Sequence, residues 1–109
     1  MDADELKRQM LVFSADYRRG LPAKLERIDA LWQVLSSGAA DIEAGGELLR
    51  ALHTIAGSAK TFGMPAFGDA ARAAENFFEP FCAGGAMPQA TDREAFGHLL
   101  DALRQSTAG

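Results

Sequence analysis

Leu52-His53-Thr54-Ile55-Ala56-Gly57-Ser58-Ala59-Lys60-Thr61-Phe62-Gly63 is the stretch that decides how this chain folds. Its apolar residues Leu52, Ile55, Ala59 and Phe62 recur at intervals of three and four, and Leu48 continues the row one turn earlier. That spacing lines one face of a helix. A helix is predicted over residues 41–62, with Gly63-Met64-Pro65 as its stop signal. Rotating about 100° per residue from Leu52 gathers His53, Gly57 and Lys60 away from the apolar row, with Gly46 and Arg50 beside them. His53 therefore lies at the edge of the core face and looks outward.

The same period extends in both directions. Leu6, Met10, Phe13 and Tyr17 keep one face of a helix from about residue 4 to residue 20, where Gly20-Leu21-Pro22 interrupts it. Leu21, Leu25, Ile28, Leu31, Trp32 and Leu35 form a second segment or a bent continuation, closed by Ser36-Ser37-Gly38. Beyond Pro65, Phe67, Ala70, Ala71, Ala74, Phe77, Phe78 and Phe81 share one broad side of a helix over 65–81. A loop follows at 83–88. Thr91-Asp92-Arg93-Glu94 reads as a capping box opening a last helix through Phe96, Leu99, Leu100 and Leu103, and 106–109 is expected to fray. The few β-branched aliphatics, Val12, Val34, Ile28, Ile42 and Ile55, and the lack of a period-2 run argue against strands. Short links between amphipathic helices favour antiparallel neighbours. The expected fold is all-α, an up-down antiparallel four-helix bundle with an additional N-terminal helix or helical extension, as one domain over 1–109.

Composition narrows the function by exclusion. Hydrophobic residues make up 48% and charged residues 24% of the 109, which suits one globular domain with a single core. Eleven Lys plus Arg against fifteen Asp plus Glu give a net charge of −4, without the basic footprint that nucleic-acid binding needs. No apolar run approaches a membrane span, and the acidic start Met1-Asp2-Ala3-Asp4-Glu5 is unlike a signal peptide. With Cys82 as the single cysteine, the expectation is a cytoplasmic monomer. Neither G-x-x-x-x-G-K-[ST] nor G-x-G-x-x-G occurs, so an ATP site is not expected on this chain. His53, Glu75, Cys82 and His98 match no metal-ligand spacing, and no metal or other cofactor is expected to bind.

Gly57 needs a reason, because glycine inside a helix is less favourable than alanine by about 1 kcal/mol. It either leaves steric access above His53 or permits tight helix packing.

The run His53-Thr54-Ile55-Ala56-Gly57-Ser58-Ala59, followed by Thr61-Phe62-Gly63, resembles the signature of histidine-containing phosphotransfer (HPt) domains. That pattern is roughly H-x-[LI]-K-G-[SAG]-[AS], with a glycine ten residues after the histidine that Gly63 matches. The resemblance is close over about residues 45–80 and elsewhere rests on helical layout. It implies a phosphorelay carrier, not an enzyme, with His53 as the phosphorylated nucleophile. The implied partners are a histidine kinase and response-regulator receiver domains, with Mg²⁺ on the receiver. Glu75 falls at the position of a glutamate in the phosphotransfer domain of chemotaxis-type histidine kinases, which implies that it orients the imidazole. The alternative for Glu75 is a surface pair with Arg72.

The lysine of the pattern is replaced by Ala56. Lys60, two turns after His53, or Arg50, one turn before it, is then the candidate phosphate cation, each with an ordinary solvated charge as its alternative. Ala56, Gly57, Arg50 and Met64 are the expected docking residues, and Phe67 belongs either with them or in the core. Met1 and a fraying Gly109 suit a free-standing protein. The alternatives are the phosphotransfer domain of a larger histidine kinase, or a docking module that keeps the fold without transferring phosphate.

Overall fold

Capping and breaker residues set the limits of the helices. The computed structural model describes residues 2–37, 41–82 and 89–108. They form α1 (Ala3–Arg19), α2 (Leu21–Ser36), α3 (Ile42–Ser58), α4 (Pro65–Cys82) and α5 (Ala90–Gln105), then a 3₁₀ turn at Ser106–Ala108. No strand occurs among the described residues. The Asp2 carboxylate accepts from the Glu5 N–H at 2.8 Å, and that of Asp41 from the Ala44 N–H at 2.9 Å, so each satisfies an orphan donor of the helix it opens. Pro65 occupies the first position of α4, where its missing N–H costs nothing.

Three boundaries differ from the sequence reading. α3 ends at Ser58, short of Phe62, because the chain winds into a turn closed by Met64 N–H on the Ala59 carbonyl at 2.8 Å. Gly63 takes φ +81° there, a left-handed conformation that costs another residue about 1–2 kcal/mol. The expected capping box does not form. α5 begins at Ala90 with Gln89 as its uncapped N-cap, so Thr91 is already inside the helix, and Asp92 serves the first turn only through its charge. The segment after α5 is ordered as a 3₁₀ turn, with Ser106 Oγ donating to the Leu103 carbonyl at 2.6 Å and Thr107 Oγ1 to that of Arg104 at 2.8 Å. The expected loop at 83–88 and the stop at Gly38 lie outside the described residues.

Helices α2 to α5 make the up-down bundle. Gly45 lies by Phe78 and Cys82, His53 by Glu75, and Ala59 by Gly68, so α3 and α4 run antiparallel over their whole lengths. Arg27 pairs with Glu47 between α2 and α3. α5 closes the bundle: the Phe96 ring lies 5.0 Å from that of Phe78 on α4 and 4.8 Å from that of Trp32 on α2, and Arg104 pairs with Asp29. Ile28, Leu35, Leu48, Leu52, Ile55, Phe67, Phe96, Leu100 and Leu103 are essentially water-free. Each large side chain so buried contributes about 1.5–3 kcal/mol.

Of the N-terminal apolar row, only Tyr17 is buried, whereas Leu6, Met10 and Phe13 are exposed along with Leu11 and Val12. The reason is reach. Gly20 keeps helical dihedrals, and the Lys24 N–H donates to its carbonyl at 3.3 Å, so α1 runs on into α2 as the bent continuation that the sequence allowed. At about 1.5 Å per residue the two helices span about 51 Å, close to the longest dimension of 53 Å. α3 has only 17 residues, and α1 overhangs it. Tyr17 marks the edge of the bundle. Its ring stacks on Phe62 at 4.7 Å, Lys24 Nζ lies 4.3 Å from its centroid, and its hydroxyl is 3.1 Å from Ser58 Oγ. Since Ser58 Oγ donates to the Thr54 carbonyl, Tyr17 is the donor to Ser58.

Candidate functional site

The close approach of α3 to α4 positions the site. A Cβ added at Gly68 would sit 3.2 Å from the Ala59 Cβ, and Ala71 and Ala74 are fully buried on the same side of α4. Beside these small residues of α4, a longer side chain can bridge to α3. Glu75 is in that place, next to Ala74 and one turn from both Ala71 and Phe78.

Glu75 is the only buried charged residue among those described, with 10% of its side chain exposed. Its Oε2 lies 2.6 Å from His53 Nδ1, and its Oε1 accepts from Arg72 Nη1, also at 2.6 Å. Burying a carboxylate is costly unless it is paired and hydrogen-bonded, and both oxygens here are engaged. Glu75 thus contacts His53 and Arg72 at once, and because it is buried its pair with Arg72 is not the solvated surface pair of the sequence reading. An ionised carboxylate only accepts, so Nδ1 carries the proton, and Nε2 of the neutral ring keeps its lone pair. The His53 side chain is 69% exposed, so the ring is open to solvent.

The other expected site residues are distributed unevenly. A Cβ at Gly57 would meet nothing within 4 Å, which removes the tight-packing explanation for this glycine and leaves open space over α3 one turn beyond His53. Ala56 is partly buried against the core. Arg50 is exposed, with Nη1 lying 3.8 Å from where a Gly46 Cβ would be. Lys60 falls in the turn after α3 and not on the helix as expected, and its Nζ is 3.4 Å from Asp69 Oδ1 on α4. Met64 requires correction as a docking residue. It is 4% exposed and belongs to the core, where it precedes α4, as does the fully buried Phe67 in the first turn of α4. His98 is exposed beside Glu94, and no cluster of three or more His, Cys, Asp or Glu among the described residues could hold a metal ion. No helix among them is long and apolar enough to cross a membrane. Sequence reasoning did not give Arg72 a place in the site. Its spacing of three from Glu75 was the available signal.

Residues 12–106 match the family model of the Hpt domain, and the chain belongs to that family. It is thus a member of the histidine phosphotransfer carriers of two-component signalling, helical bundles that interact with kinases and receiver domains and have no ATP site of their own. Comparison with curated proteins and with solved structures returns no match.

Proposed function

We propose that this chain is a phosphorelay carrier in which His53 Nε2 takes a phosphoryl group from the aspartyl phosphate of a receiver domain, or from a histidine kinase, and passes it to another receiver aspartate. The observation that carries this reading is the 2.6 Å contact of Nδ1 with the buried Glu75 beneath an exposed ring. The Nε2 lone pair attacks phosphorus, the Nε2–P bond forms, and the P–O bond breaks with its electron pair left on the aspartate. Nδ1 keeps its proton, and Glu75 balances the positive charge that develops on the ring. Such transfer depends chiefly on alignment and charge neutralisation. The receiver supplies Mg²⁺, and this chain contributes the imidazole, the open space at Gly57, and a docking face around Ala56, Gly57 and Arg50. We place the reaction in the cytoplasm, with the carrier acting as a monomer.

Two cations can replace the lysine absent at Ala56. Lys60 must leave Asp69 to reach a phosphoryl group, whereas Arg50 has no ion-pair partner among the described residues.

The test is incubation with a receiver charged by acetyl phosphate. Acid-labile, alkali-stable label is expected on the parent protein and absent from His53→Gln. Failure to acquire label from any cognate receiver or kinase would reject transfer and leave a docking module. In the same assay Lys60→Ala is expected to slow labelling several-fold with an unchanged melting temperature, and an unchanged rate would pass the cation role to Arg50.

A further inference from the structure

We infer that Arg72 is a positioning residue of this site. It fixes the Glu75 carboxylate so that Oε2 faces His53 Nδ1, and it offsets the charge that this carboxylate would otherwise present to an incoming phosphoryl group. The inference rests on the carrier reading and deepens it.

The geometry is a three-member chain. Arg72 Nη1 donates to Glu75 Oε1, and His53 Nδ1 donates to Oε2, each at 2.6 Å. A carboxylate held at one oxygen by its own helix has its rotation restricted, and the second oxygen is then aimed. Glu75 is buried and Arg72 is about half exposed, so the arginine reaches the carboxylate from the solvent side, the side from which a partner must approach His53. Hydrogen bonds to ionised groups are roughly twice as strong as neutral ones, and a guanidinium is always charged.

The substitution at position 56 gives this arrangement its purpose. A carboxylate against Nδ1 stabilises the ring after phosphorylation but repels a phosphoryl anion before it. In the family pattern a lysine one turn after the histidine supplies a compensating cation, and this chain has Ala56 there. Among the described residues, Arg72 is the cation in direct contact with the His53–Glu75 pair. It leaves the pair's hydrogen bond intact while cancelling its net charge. Lys60 and Arg50 are candidates for the phosphoryl group itself, whereas Arg72 acts through Glu75.

Two measurements on the whole chain test this, with Arg72→Gln and Arg72→Lys. The first is the pair of ¹⁵N shifts of the His53 ring, recorded at a pH that keeps the imidazole uncharged. Arg72→Gln is expected to move the tautomer balance away from Nδ1–H, and Arg72→Lys to restore most of it. The second is chemical phosphorylation by phosphoramidate, in which the P–N bond of the reagent breaks, ammonia leaves and the Nε2–P bond forms without any partner protein. Arg72→Gln is expected to slow this by roughly tenfold, the lower end of what loss of an orienting partner costs, at an unchanged melting temperature. Unchanged ring shifts in Arg72→Gln would overturn the proposal whatever the rate. Failure of the carrier reading shows separately, as parent protein that reacts with phosphoramidate but passes nothing to a receiver.

Discussion

A methyl group added at Gly57 would meet open space, whereas one added at Gly68 would press on Ala59. The two glycines therefore predict opposite outcomes for the same substitution. Gly57→Ala is expected to stabilise the protein by about 0.5–1 kcal/mol, since it adds helix propensity and meets no neighbour. It is also expected to slow labelling of His53, because the space is then partly filled. Gly68→Ala should lose about 1 kcal/mol despite the same gain in propensity, because overpacking a fitted contact costs about 1–3 kcal/mol. Urea melts with labelling time courses check both, and a Gly57→Ala protein that labels at the parent rate would remove the access role. At this scale the site was partly legible. His53 stood out by its place at the edge of the apolar row, Glu75 only through the resemblance to phosphotransfer domains, and the bare position at 57 by its helical context. Arg72 did not, because an arginine three residues from a glutamate looks the same on a solvated surface as over a buried carboxylate, and the burial of Glu75 comes from α3.

Among the elements, the three-and-four period identified the five described α-helices, and in α2 to α5 it did so because an apolar row that must be buried constrains sequence strongly. Helix ends were less legible. Whether α3 stops at Ser58 or at Phe62 depends on the turn that Gly63 permits, and α5 opens at Ala90 without using Thr91 as a cap. The period also cannot say whether anything lies opposite a face. Leu6 and Met10 fit the same row as Tyr17, yet α1 extends past the bundle and of the three only Tyr17 is buried, against Phe62 and Ser58. Replacing Leu6 and Met10 together by serine is accordingly expected to change the unfolding free energy by no more than about 0.5 kcal/mol, whereas Leu52→Ala in the water-free core should cost about 2–5 kcal/mol. Chemical denaturation of the two variants measures the difference. A large loss in the serine variant would mean that the α1 face is covered in solution.

For the whole molecule, the decisive geometry is the antiparallel register of α3 and α4, which places His53, well along α3, beside Glu75, well along α4. Residue spacing within either helix could not reveal that pairing. It follows from the length of the intervening turn and from the small residues that let the helices approach. The continuity of α1 with α2 has a consequence of another kind. A body of 53 × 23 × 21 Å is more than twice as long as it is wide, so it does not tumble isotropically. Helical N–H bonds lie along the helix axis, and in this molecule the α1–α2 rod follows the long axis. If α1 is rigidly continuous with α2, the ¹⁵N transverse relaxation of its amides will be as fast as that of α2, set by the slow end-over-end rotation. Slower relaxation beginning at Gly20 would reveal a swivel at that residue, so the amide signals of a single helix report whether the overhang moves with the bundle.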